Sequence, residues 1–135
     1  MDVSGVHHVA MAVEDLDEAL DTYRRLFGAE LERRGRLDDQ GVEAAYLRLG
    51  TGRVELVSPL EADTPVGRFL AKRGPGMHHL AYEVADLPAA LEHVAAAGGT
   101  VIDAEPRRGL DGHSVAFVHP ESLHGVLAEV VASDG

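Results

Sequence analysis

The chain has 135 residues, 45% of them hydrophobic, a formal charge of −11 and no cysteine. That is one domain's length with enough apolar material for a core; the charge argues against nonspecific nucleic-acid binding, which needs a basic face, and the missing thiols exclude disulfides, thiolate metal sites and a cysteine nucleophile. No apolar run is long enough to span a bilayer, and the opening MDVSGVHHVA lacks the basic and apolar regions of a signal peptide, so the expectation is a cytoplasmic protein with no membrane partner.

The first alternating stretch, GVHHVAMAV, predicts a strand with His8, Ala10 and Ala12 on one face and Val9, Met11 and Val13 on the other. Asp15, with Glu18 three residues later, reads as a capping box and opens a helix over about Leu16 to Phe27. Three short strands follow at Glu30 to Leu37, Val42 to Leu49 and Val54 to Val57, separated by polar or glycine turns. Thr64 and Pro65 start a short helix running to Arg73. GMHHLAYEV, residues 76 to 84, predicts a strand, and Asp86 with Pro88 caps a helix over about Leu87 to Ala97. Strands at Thr100 to Asp103, Ser114 to Val118 and Val126 to Val131 complete the pattern.

Laid side by side, GVHHVAMAVEDLDEAL from Gly5 and GMHHLAYEVADLPAAL from Gly76 match in type at most positions without a gap. A duplicated βαβββ module explains this. The sequence thus predicts a single α+β domain over residues 1–135, with module one at about 4–60, a linker at 61–75 and module two at about 76–132. RVELVSP and LAEVVAS occupy corresponding places, which pairs Glu55 with Glu129. The large apolar face of each strand must meet the helix, leaving His8, His79, Glu55 and Glu129 on the opposite face. A lone histidine at a strand start is usually structural or solvated, and repeated leucines would signal only packing. A glutamate inside an apolar strand is different, because burying it costs several kcal/mol unless something compensates. Repeated twice beside a histidine, it favours a metal site over a structural network. His7 and His78 are expected on the helix side or the strand edge, His93 on a helix surface, and His113, His119 and His124 in loops.

At these residues the sequence resembles the vicinal oxygen chelate superfamily, and within it most closely the methylmalonyl-CoA epimerases. The resemblance runs through HHVAMAV, QGVEAAYLRLG, RVELVSPL, TPVGRFLAKRGPGMHHLAYEV, DAEPRRGLDG and FVHPESLHGVLAEVV. It implies paired βαβββ modules forming a cup-shaped sheet around one divalent metal ion per chain, held by His8, Glu55, His79 and Glu129. Imidazole plus carboxylate suits Co²⁺, Mn²⁺, Ni²⁺ or Zn²⁺ better than calcium. It also implies an acyl-CoA substrate and a homodimer. Some epimerases carry a proposed base two residues after the valine of QGV; here that place is Ala44, and Glu43, one residue earlier, belongs to the opposite strand face. The acid/base pair is therefore expected to be Glu55 and Glu129. Glu121 replaces the lysine of an HPK motif, so the cations expected to meet coenzyme A phosphates are Lys72, Arg73, Arg107 and Arg108. The rival readings are a glyoxalase I-type lyase, an extradiol-type oxygenase and a non-catalytic binding member of the superfamily.

Overall fold

In the computed structural model, which describes residues 1–133, the elements form where local chemistry places them. Strand β1 (Val3–Ala12) gives way to helix α1 (Leu16–Phe27) at Asp15, whose carboxylate accepts from the Glu18 backbone N–H at 3.0 Å. The helix stops at Gly28, which takes the left-handed conformation at φ 67° and donates to the Arg24 carbonyl. Strands β2 (Glu30–Leu37), β3 (Val42–Leu49) and β4 (Gly52–Pro59) follow. Helix α2 (Pro65–Arg73) is capped by Thr64, and helix α3 (Leu87–Ala96) by Asp86, after strand β5 (Gly76–Val84). Strands β6 (Arg107–Arg108), β7 (Ser114–Val118) and β8 (Ala128–Ala132) complete an α+β fold. No helix among the described residues is long and apolar enough to cross a membrane.

The chain divides into two compact units. One is His8–His78; the other joins Met1–His7 to the chain from His79 onward, so the boundary falls inside β1. In the His8–His78 unit the strand order is β2-β3-β4-β1, with β1 and β4 parallel. Its core is Leu16 of α1 against Ala29, Ala45, Leu47 and Leu56, joined by Met11 and Val54. Sealing a leucine there contributes about 1.5–3 kcal/mol. In the other unit the order is β5-β8-β7-β6, with β5 and β8 parallel, and α3 sets Leu87 and Ala90 against Val84, Val118, Ala128 and Val130. Bulk goes to the helix face in both. The opposite face of the first unit is floored by Ala10, Ala12 and Ala44, all fully buried.

Three expectations need correction. Val54 to Val57 is only the middle of β4. Thr100 to Asp103 is not a strand: Val101 makes a single bridge to Val118, and the next contact with β7 is made by a side chain. The Asp103 carboxylate accepts from the Phe117 backbone N–H at 2.8 Å and from Arg107 Nε at 2.9 Å, replacing a ladder bond with a side-chain clamp. Pairing resumes at β6, which lies antiparallel to β7. The last strand begins at Ala128 rather than Val126, because the Val126 N–H closes onto the Leu123 carbonyl behind a 3₁₀ turn at Pro120–Leu123. Replacing Asp103 by alanine strips the Phe117 N–H and Arg107 of this partner. Urea unfolding should show a loss of about 1–3 kcal/mol.

Candidate functional site

Alternation and register bring a histidine and a glutamate together in each unit. Parallel pairing sets Ala10 beside Glu55, and His8, two residues earlier on the same face, reaches over that alanine. His8 Nε2 lies 3.2 Å from Glu55 Oε1, with both residues at most 5% exposed. In the other unit Ala81 lies beside Glu129, and His79 Nε2 stands 3.9 Å from Glu129 Oε1. The short alanine is what leaves room for the imidazole.

Each glutamate also has an aromatic neighbour on its other side. Antiparallel pairing sets Tyr46 opposite Glu55 and Phe117 opposite Glu129. The Tyr46 and His8 ring centroids are 5.2 Å apart, and Phe117 meets His79 edge-on at the same distance. Sequence reasoning missed these aromatics, although the repeat contained the signal. Arg53 lies over the Tyr46 ring at 5.2 Å and is itself held by Glu32, through Nε at 2.8 Å. The Arg53 hydrogen bond, helped by Arg48, keeps the Glu32 carboxyl below the ordinary carboxylate range against the opposing effect of burial.

Glu43 falls on the helix side, as alternation predicts. The β3–β4 register runs without a shift, with Ala44 opposite Val57 on the Glu55 face and Glu43 opposite Ser58 on the other. Glu43 instead takes Arg34 Nε at 2.9 Å, while Arg34 also donates to Asp17 of α1 at 2.6 Å. Glu43 first, and then Asp17, push the Arg34 pKa upward.

The four candidate phosphate-binding cations divide differently. Lys72 and Arg73 end α2, where positive charge suits the helix C-terminus, and the Arg73 guanidinium stacks over Phe69 at 5.5 Å. Phe69 in turn meets His78 at 5.0 Å, so His78 faces the linker helix. Arg107 is bound by Asp103, and Arg108 donates to the Gly112 carbonyl at 2.7 Å. Glu121 sits in the 3₁₀ turn, its N–H capped by His119 Nδ1.

The donor chemistry in each unit suits a transition metal. Ligands on an ion with bonds of about 2.1 Å sit roughly 3 Å apart, and the buried imidazole and carboxylate of each pair are 3.2 Å and 3.9 Å apart. Residues 7–117 match the model of the glyoxalase/bleomycin resistance protein/dioxygenase superfamily. The chain belongs to this superfamily. A relative that matches it nearly end to end, the ethylmalonyl-CoA/methylmalonyl-CoA epimerase of Cereibacter sphaeroides, is 37% identical over 95% of this chain and 97% of its own length. Among solved structures, the methylmalonyl-CoA epimerase of Mycobacterium tuberculosis superposes with a TM-score of 0.95 at 35% identity, covering 98% of this chain and 90% of its own. That of Streptomyces coelicolor, in complex with 2-nitronate-propionyl-CoA, does so with the same score and identity over 99% of this chain and 100% of its own. The chain therefore sits in the superfamily's methylmalonyl-CoA epimerase group.

A pH dependence follows from the brace behind Tyr46. Because the folded-state pKa of Glu32 is depressed, its stabilising effect is full above the ordinary value of 4.5 and is lost as pH falls through the lower folded-state value. Glu32→Gln should therefore cost under ~1 kcal/mol at pH 7, a surface ion pair's worth. The deficit should close in acid, as seen by thermal melts across the pH range.

Proposed function

We propose that this protein is an isomerase that interconverts the (2R) and (2S) forms of methylmalonyl-CoA, by removing and returning the proton on the carbon next to the thioester carbonyl. The observation that carries the reading is the buried His/Glu pair, repeated on the parallel strand pair of each unit. It occurs in a chain whose near full-length relatives are epimerases of this substrate.

His8, Glu55, His79 and Glu129 hold one divalent cation, and the donor set fits Co²⁺, Mn²⁺, Ni²⁺ or Zn²⁺. When bound, such an ion supplies Lewis acidity that makes a proton next to a carbonyl easier to remove. The protein's own residues do the rest. Inversion requires a proton acceptor on one side of a carbon that flattens and a donor on the other, and Glu55 and Glu129 take these roles. Each carboxylate is held by register, alanine on one flank and an aromatic ring on the other, so its reach is set before substrate arrives. Glu43 has no part in proton transfer, since Arg34 holds it on the helix side. Lys72, Arg73, Arg107 and Arg108 answer the phosphates of coenzyme A. The reading includes a homodimer, as the family resemblance implies, and a cytoplasmic location.

Incubating one epimer with metal-loaded protein in D₂O, and following the carbon-bound proton by NMR, tests the reaction. Metal-dependent deuterium entry with appearance of the other epimer is expected, and absence of exchange despite bound metal overturns the substrate. Glu129→Gln should lower kcat by about 10²–10⁴-fold, and Glu43→Gln should leave it near the wild-type value. Full activity with normal metal content in Glu55→Gln would remove Glu55 from the acid/base pair. Substituting Lys72 and Arg73 together by alanine should raise KM more than it lowers kcat if they bind the distant phosphates; unchanged kinetics return both to the role of helix-end charges.

A further inference from the structure

We propose that His7, Asp111 and His113 form a second divalent-metal site, separate from the His/Glu pairs. All three belong to the unit that contains module two. His7 Nε2 lies 3.8 Å from Asp111 Oδ2, and His113 Nδ1 lies 3.5 Å from the same oxygen. Each residue offers one ligand atom, and these atoms lie within 4.8 Å of one another. One carboxylate oxygen therefore stands between two imidazole nitrogens, the arrangement left when a shared ion is lifted out of two histidines and an aspartate.

A second observation points the same way. His113 Nδ1 is buried from solvent and has no hydrogen-bond partner, its approach to Asp111 being an ion-pair distance without hydrogen-bond geometry. A buried ring nitrogen without a partner costs stability, and a metal ion would satisfy it. The other carboxylate oxygen is already committed, because Asp111 Oδ1 accepts from the His113 backbone N–H at 3.2 Å. That bond turns Oδ2 toward the imidazoles, as outer hydrogen bonds orient metal-ligating carboxylates generally.

The loop that holds Asp111 and His113 is braced. Gly109 N–H donates to the His113 carbonyl at 2.8 Å, Gly112 N–H donates back to the Gly109 carbonyl at 3.0 Å, and Arg108 fixes the Gly112 carbonyl. Gly112 accepts a φ of 85°, which a residue with a side chain would resist. His7 comes from β1, where its side chain points to the face opposite His8, so one imidazole is not shared between the two sites. Bonds of about 2.1 Å set ligand atoms roughly 3 Å apart, so each imidazole must close on the Asp111 oxygen by up to about an ångström from its 3.5 Å or 3.8 Å separation. Two imidazoles and one carboxylate select Zn²⁺, Co²⁺ or Ni²⁺ over calcium or magnesium, and leave coordination positions open to water or a small anion.

Metal-stripped protein loaded with Zn²⁺ and freed of excess by dialysis gives the count by elemental analysis. Asp111→Asn and His113→Ala should each bind one equivalent less than the wild-type chain, with circular dichroism unchanged. The loss is read against whatever the His/Glu pairs hold, so failure of that reading lowers all three proteins alike and leaves the difference intact. Unchanged stoichiometry in both variants overturns the site. In the wild-type chain, Zn²⁺ should also shift the imidazole resonances of His7 and His113 together; resonances that stay in place overturn it without recourse to any variant.

Discussion

A carboxylate sealed inside an apolar strand must be answered by a neighbour, since burying its charge alone costs several kcal/mol. Glu55 and Glu129 set that demand, each only 5% exposed. The answer is built from strand geometry. Parallel pairing puts an alanine beside each glutamate, the histidine two residues earlier leans over it, and the antiparallel partner supplies an aromatic wall. Large apolar side chains are then confined to the helix face, where Leu16 and Leu87 anchor the two cores. The position of the helices thus follows from which strand face must stay open for polar groups.

Much of this was legible in the chain because it depends on period and repetition. Alternation alone assigned His8 and Glu55 to one face and sent Glu43 to the other, and the bounds of α1, β2 and β3 followed from caps and turns. The middle of module two was not legible. There Asp103 replaces a backbone ladder bond with its side chain, and no hydrophobic period reports a carboxylate turned onto a neighbouring N–H. The His7, Asp111 and His113 cluster escaped for a related reason: its members lie far apart in sequence and meet only when the hairpin loop closes. Tyr46 and Phe117 could have been found, since they occupy matching places in the repeat.

Net charge says little about how charge is used here. Of an excess of acidic residues, several hold arginines in place. Glu43 and Asp17 fasten Arg34, which ties edge strand β2 to α1, and Glu32 gathers Arg48 and Arg53. The second of these braces reaches inward, because Arg53 rests on Tyr46 and Tyr46 on His8. A surface ion pair worth under ~1 kcal/mol in stability can therefore matter more for the aim of a buried ring than for the survival of the fold.

The boundary inside β1 bears on how such a gene could be divided. Met1–His7 belongs to the same unit as the chain from His79 onward, although it stands at the head of the sequence. Residues 61–75 lie wholly inside the His8–His78 unit. A polypeptide broken there would leave its later fragment without seven residues of its own unit, and its earlier fragment would carry those residues away from the unit they complete.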